Sequence, residues 1–202
     1  MVDAARLAFG TDRDFIAVPE VRLLEVPGPK ERKIGKVDFL LAEIRDEQAV
    51  DFAALEIQAV YISGASIRPA FNQFLADGSL PGDSLRRPDF RSSAQKRLMP
   101  QLALKVPIFR RWDKRFFVAV DSTLFETLPR MRAQTPGNAE VTWLVYAFER
   151  QPSGGYRMEE PLVQHTVWDD VLESLREGQP PERSELLREL SERAKKQRRF
   201  RS

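Results

Sequence analysis

The chain has 202 residues, of which 42% are hydrophobic and 31% charged, and its formal net charge is +2. It has no cysteine and one histidine, which excludes disulfides, zinc ribbons, iron–sulfur clusters, thiol catalysis and multi-histidine metal sites. No apolar run approaches the roughly 18 residues of a membrane span, and the start lacks a signal-peptide pattern, so we expect a cytoplasmic protein. The length fits one domain over residues 1–192 and a basic tail at 193–202.

The charges are segregated along the chain. Residues 84–115 carry 10 Lys+Arg against 2 Asp+Glu, and the last ten residues carry 6 against none, whereas the other segments are acidic. Such clustering is the expected footprint of a surface that binds a polyanion. The alternative, in which these residues are solvated helix surface, stays open at this point.

The first half of the chain predicts a helix, two strands and a second helix. Pro19 and Glu20 are typical of a helix start, and the Pro/Gly cluster at 26–29 ends that helix. Two apolar runs predict strands at 35–45 and 52–63, and their short connection favours antiparallel pairing. A helix follows to about residue 77, with Ser66 as its N-cap.

The second half predicts further elements of both kinds, so the fold class is α/β. They are a helix at 88–99, strands at 115–121, 140–150 and 156–165, and helices at 168–176 and 182–197.

Two carboxylates interrupt the apolar strands. Asp38 and Glu56 lie among Val, Leu, Ile, Phe and Ala residues, where an ionised group is costly unless it is paired. Side chains alternate along a strand, so Glu56 and Gln58 share one face. The arrangement suggests a shared cation. Ordinary buried ion pairs remain an alternative, and a glycosidase acid/base pair is disfavoured because a neutral sugar gives the basic block no role.

The segments that surround these acids are similar to a known family. They are residues 18–21, 36–42, 55–64, 66–71, 102–107 and 114–121. The order of Glu20, Asp38 and Glu56-x-Gln58, followed by an amphipathic helix, resembles the PD-(D/E)xK nuclease core. More specifically, residues 15–125 resemble the restriction endonuclease family typified by NotI. This resemblance implies a central mixed sheet flanked by helices.

The resemblance also implies a chemistry. Asp38 and Glu56 would be Mg²⁺ ligands, Glu20 a helix-borne acid near the metal, and Gln58 would occupy the position that is usually lysine. Glutamine has no positive charge, so Lys36, on the same strand face as Asp38, is the first candidate to supply it and Lys105 the second.

The implied activity is that of a Mg²⁺-dependent type II restriction-like endonuclease. It would hydrolyse double-stranded DNA to 5′-phosphate and 3′-hydroxyl ends as a homodimer, with a cognate DNA methyltransferase as a genetic partner. A non-cleaving DNA-binding protein on the same fold is the alternative. The family's namesake is longer and carries a cysteine-based domain, so its target sequence cannot be carried over.

Several basic residues are candidates to contact DNA phosphates. They are Arg68, Arg86, Arg87, Arg91, Lys96, Arg97, Lys105, Arg110 and Arg111. Trp112 and His165 are expected to have packing and structural roles.

Overall fold

The computed structural model describes residues 1–26, 32–63, 68–77, 87–89, 97–152, 156–176 and 181–194. Its strands are β1 (Phe15–Val26), β2 (Arg32–Arg45), β3 (Gln48–Gln58), β4 (Tyr61–Ser63), β5 (Arg87–Asp89), β6 (Phe116–Asp121), β7 (Val141–Tyr146), β8 (Phe148–Arg150), β9 (Tyr156–Met158) and β10 (Leu162–Thr166). Its helices are α1 (Val2–Phe9), α2 (Arg68–Asp77), α3 (Met99–Arg111), α4 (Ser122–Glu126), α5 (Trp168–Arg176) and α6 (Arg183–Ala194).

Six strands form one mixed sheet in the order β1-β2-β3-β6-β7-β10. The first three are antiparallel neighbours, β6 and β7 continue the sheet parallel to β3, and β10 is antiparallel to β7. Parallel neighbours need a crossover, which residues 59–115 and 122–140 provide. The carboxyl ends of β3, β6 and β7 therefore lie at one edge of the sheet, which we call the carboxyl edge.

Helices pack on both faces of this sheet. On the front face, Leu102 and Phe109 of α3 and Trp168 of α5 are buried against the sheet. On the back face, the small residues Ala4 and Ala5 bring α1 close to β2 and β3. Burial on both faces explains why the central strands are nearly continuous apolar runs.

The structure confirms most of the predicted elements. β2 and β3 pair antiparallel, and strands occur near 115–121, 140–150 and 156–165, although short breaks separate β3 from β4, β7 from β8 and β9 from β10. The helices predicted at 168–176 and 182–197 are present, the second as far as Ala194, where the described residues end. The predicted cap Ser66 lies outside the described residues. Within the described ranges, no helix is both long and apolar enough to cross a membrane.

The helix predicted at Pro19 and Glu20 is wrong, since both residues belong to β1. β1 is the edge strand of the sheet, where proline is tolerated because its missing N–H removes no inner ladder bond. Glu20 has a left-handed backbone, φ 58°, instead of a helical one. Ten residues of β1 pair with β2, and this pairing outweighs the local preference for a helix start at Pro19.

The helix predicted at 88–99 is wrong at its start. Pro88 and Asp89 belong to strand β5, which pairs with β4. Residues 90–96 lie outside the described residues, and a π-helical turn at Arg97 and Leu98 leads into α3 at Met99. Pro100 lies in the first turn of α3, where a missing N–H costs nothing. Helix α1 covers part of the back face and was not predicted from the sequence.

Candidate active site

The acid pair lies where β2 and β3 separate. Their ladder ends at the partners Phe39 and Leu55, one residue before Asp38 and Glu56 would face each other. The Ile57 N–H donates instead to Asp38 Oδ2 at 2.9 Å, and the Asp38 N–H lies 3.4 Å from Glu56 Oε2. Side-chain oxygens thus replace carbonyl acceptors where the ladder opens, and the opening brings the two carboxylates together.

A buried lysine from the front-face helix completes this cluster. Lys105 Nζ lies 2.7 Å from Glu56 Oε1 and 2.9 Å from Gln101 Oε1. The side chains of Lys105 and Glu56 are only 4% and 5% exposed. α3 runs antiparallel to β3, because one turn after Lys105 the ring of Phe109 packs against Phe52 with centroids 6.2 Å apart.

Burial dominates the electrostatics of Glu56. Desolvation raises the pKa of this carboxyl above its usual value, and the nearby Asp38 charge adds to the rise. The Lys105 hydrogen bond and charge act in the opposite direction but do not cancel the burial. The site therefore holds an acid that a further positive charge would help to keep ionised.

Glu20 and Lys36 pair with each other. Lys36 Nζ lies 2.7 Å from Glu20 Oε1, and both side chains are exposed. The hydrogen bond from Lys36 lowers the pKa of Glu20. Across the described residues, no group of three or more His, Cys, Asp or Glu side chains is arranged to hold a metal ion, so Glu20 does not join the acid pair as a third carboxylate.

Gln58 follows Glu56 on the same strand. Its Nε2 donates to the Ala59 carbonyl at 2.7 Å. Gln58 also lines a cavity of about 770 Å³ at the carboxyl edge, which is walled mainly by apolar residues of β3, β6 and β7. Gln58 thus lies between the acid pair and the carboxyl edge, as the last residue of β3.

The predicted DNA-contacting residues fall into different surroundings. Arg86, Arg91 and Lys96 lie outside the described residues, and of Arg87 only the strand placement is described. Arg68 and Arg97 are exposed at the starts of α2 and α3.

The remaining predicted contacts lie along α3. Lys105 is buried in the acid cluster rather than presented on a surface. Arg110 pairs with Glu140 at 2.8 Å, directly before β7 begins, so it lies near the edge opposite the carboxyl edge. Arg111, its neighbour, is exposed.

Gln101 accepts a hydrogen bond from the buried Lys105 ammonium and was not among the predicted site residues. The available signal was its spacing four residues before Lys105, which would place both on one face if the segment were helical, as it is in α3. The contact between Lys105 and Glu56 joins residues 49 apart in the chain, and spacing alone does not show it.

Trp112 and His165 have structural surroundings, as expected. The Trp112 ring packs edge-on against Phe52 and Phe109, with centroids 5.6 and 5.5 Å apart. His165 Nδ1 lies 3.0 Å from Thr142 Oγ1, and burial lowers the pKa of the imidazole.

A mixed sheet flanked by helices, with acids on two diverging central strands, defines a restriction-endonuclease-like core. The family model described as Restriction endonuclease NotI matches residues 4–158. Because this match covers more than half of the chain, the chain belongs to the NotI restriction endonuclease family, whose members are DNA-cleaving hydrolases. In a comparison with curated proteins, no sequence matches the chain significantly.

Proposed function

We propose that the chain is a divalent-metal-dependent, type II restriction-like endonuclease, with Asp38 and Glu56 as metal ligands. The observation that carries this proposal is the meeting of two strand-borne carboxylates and a buried ammonium where β2 and β3 separate. Buried charges in the core of a hydrolase are expected to serve chemistry, because a buried ion pair is often unfavourable as a purely structural element.

The donor set supports a hard cation such as Mg²⁺. Asp38 Oδ2 accepts from Ile57, and Glu56 accepts from Lys105 at Oε1 and, at a longer 3.4 Å, from the Asp38 N–H at Oε2. A carboxylate has about four lone-pair sites, so each acid keeps acceptor capacity for a cation. Carboxylate oxygens supplemented by waters are the ligands that Mg²⁺ prefers. When bound, the ion would supply Lewis acidity toward the phosphate and a more acidic water. The raised pKa of Glu56 supports the same assignment, since a cation would offset its desolvation.

Lys105 is the better-supported source of the charge that Gln58 lacks. Its ammonium contacts a proposed metal ligand directly, whereas Lys36 is held by the exposed Glu20. In a water-poor site, a fixed ammonium stabilises developing negative charge more than an exposed one does. We propose that Lys105 fixes the Glu56 carboxylate and contributes its charge to the reacting phosphate, while Gln58 orients the attacking water.

The expected products are a 5′-phosphate and a 3′-hydroxyl, as this class of nuclease implies. Cutting both strands of a symmetric target requires two copies of the site, so a two-fold homodimer is part of the proposal. We also propose that the enzyme acts on double-stranded DNA in the cytoplasm and that its genetic partner is a DNA methyltransferase that protects the host DNA.

The deciding experiment incubates the purified protein with several genomic DNAs and Mg²⁺, and compares it with Asp38→Asn, Glu56→Gln and Glu149→Gln. Glu149 is an exposed control on β8, with a side chain 53% exposed. Discrete fragments from the wild type and the control, absent for both active-site variants, are the expected result. Binding without cleavage in Mg²⁺ or Mn²⁺ would favour the non-cleaving alternative. Circular dichroism melts establish that each variant is folded.

A further inference from the structure

The hairpin formed by β1 and β2 extends beyond the rest of the sheet. β3 pairs with β2 only from Phe39 onward, whereas β1 pairs with β2 as far as Arg32. Residues 32–38 of β2 therefore have β1 as their one strand neighbour within the described residues. At about 3.3 Å per residue, this outer ribbon, residues 20–26 and 32–38, extends roughly 20 Å from the acid pair. Asp38 lies at its base.

The alternation of side chains between the two faces of the ribbon reverses at Glu20. Ala17 and Phe39 pack in the back-face cluster, but Leu23 and Val37 pack in the front-face cluster. Side chains alternate with a period of two, so odd-numbered residues change sides only across a local irregularity. Glu20, with φ 58°, lies between the ladder partners Pro19–Phe39 and Val21–Val37 and provides that irregularity.

One face of the outer ribbon is anchored on α3. Val37 is fully buried, and Gly35 lies so near the helix that an added Cβ would meet Leu104 at 3.7 Å. The opposite face is exposed at Arg22 and Lys36, which are direct cross-strand partners. Two like charges facing each other across a ladder are unfavourable without an anion. In this structure, Glu20 provides that anion for Lys36.

We propose that the outer ribbon lies along the sugar–phosphate backbone of the substrate duplex, with Arg22 and Lys36 each neutralising one phosphate. This inference rests on the proposed function, because the ribbon adjoins the acid pair through Asp38. Exposed ion pairs contribute little to stability, so Lys36 exchanges Glu20 for a phosphate at little cost. Lys36, predicted above to supply the catalytic charge, is thereby assigned to holding the duplex beside the cut.

The test measures affinity for a 30-base-pair duplex of random sequence, without divalent metal, at several salt concentrations. Non-specific binding is dominated by phosphate neutralisation, so the unidentified recognition sequence is not needed. Arg22→Ala and Lys36→Ala are each expected to reduce the slope of log K against log salt by about 0.9, the contribution of one phosphate. Arg6→Ala is the matched control on α1. Its side chain is 48% exposed against 47% for Lys36, and it is expected to leave the slope unchanged.

Glu20→Gln gives a second, opposite readout. Without the competing carboxylate, Lys36 is available to phosphate, and affinity is expected to increase about two- to fivefold with an unchanged slope. Wild-type slopes in both Arg22→Ala and Lys36→Ala, or an equal loss in Arg6→Ala, would overturn the ribbon contact while leaving the nuclease proposal standing. A wild-type protein that binds no duplex at any salt concentration would overturn the nuclease proposal itself.

Discussion

Lys105 on α3 and Glu56 on β3 form a buried ion pair with a 2.7 Å contact. Both side chains are almost fully buried, so each is the main compensation for the other's burial. The pair also ties the front-face helix to the strand that bears the proposed metal ligand. Its consequences can be measured separately in stability, in pH dependence and in catalysis.

Replacement of Lys105 by Met is expected to destabilise the protein at pH 7. The substitution leaves the Glu56 carboxylate buried without its counter-ion, and breaking such a pair costs about 3–5 kcal/mol in the free energy of unfolding. Urea denaturation with EDTA present measures this loss. Lys36→Met is the control, since its exposed pair is expected to contribute about 1 kcal/mol or less. Equal losses in the two variants would contradict the assigned burial.

The raised pKa of Glu56 makes stability depend on pH in a defined direction. A carboxyl whose pKa is higher in the folded than in the unfolded state favours folding below its usual value of 4.5, and this contribution is lost as pH rises through the folded pKa. The free energy of unfolding of the wild type, relative to Glu56→Gln, is therefore expected to fall as pH rises from 4 to 8. Denaturation series in metal-free buffer provide the measurement. A difference that rises with pH would show that the Lys105 contact outweighs desolvation.

Cleavage should separate the roles of the two lysines. Loss of a preorganised positive charge at a reacting group typically costs roughly 100- to 1,000-fold in rate. We therefore expect Lys105→Met to slow single-turnover cleavage at saturating enzyme by about that factor. Lys36→Ala should instead weaken DNA binding and leave the saturated rate near that of the wild type. A large loss of saturated rate in Lys36→Ala alone would show that Lys36, and not Lys105, supplies the catalytic charge.

The acid pair could be predicted from sequence because its signal is local. Asp38 and Glu56 interrupt apolar runs that have strand length, and burial of such runs follows from composition alone. The strand position of Glu20 could not be predicted in the same way. Pro-Glu is a favourable helix start, and only pairing with β2 decides against it.

The partners of the lysines also depend on tertiary structure. Sequence spacing ranked Lys36 above Lys105, because Lys36 is two residues from Asp38. The packing of α3 reverses that order by bringing Lys105 onto Glu56 across the front face. The start of the helix predicted at 88–99 is wrong for the same reason, since only pairing with β4 places Pro88 and Asp89 in strand β5.

The ribbon conformation at Gly35 provides a test that does not involve charge. Gly35 has φ +70°, a conformation that costs an L residue about 1 kcal/mol, although a Cβ would meet only ordinary contacts at 3.7 Å and beyond. Gly35→Ala is thus expected to lower the free energy of unfolding by about 1 kcal/mol. Gly137→Ala is the matched control, because Gly137 has no positive φ and an added Cβ meets nothing within 4 Å. If Gly35→Ala also weakens duplex binding while Gly137→Ala does not, the shape of the ribbon, and not only its charge, contributes to holding DNA beside Asp38.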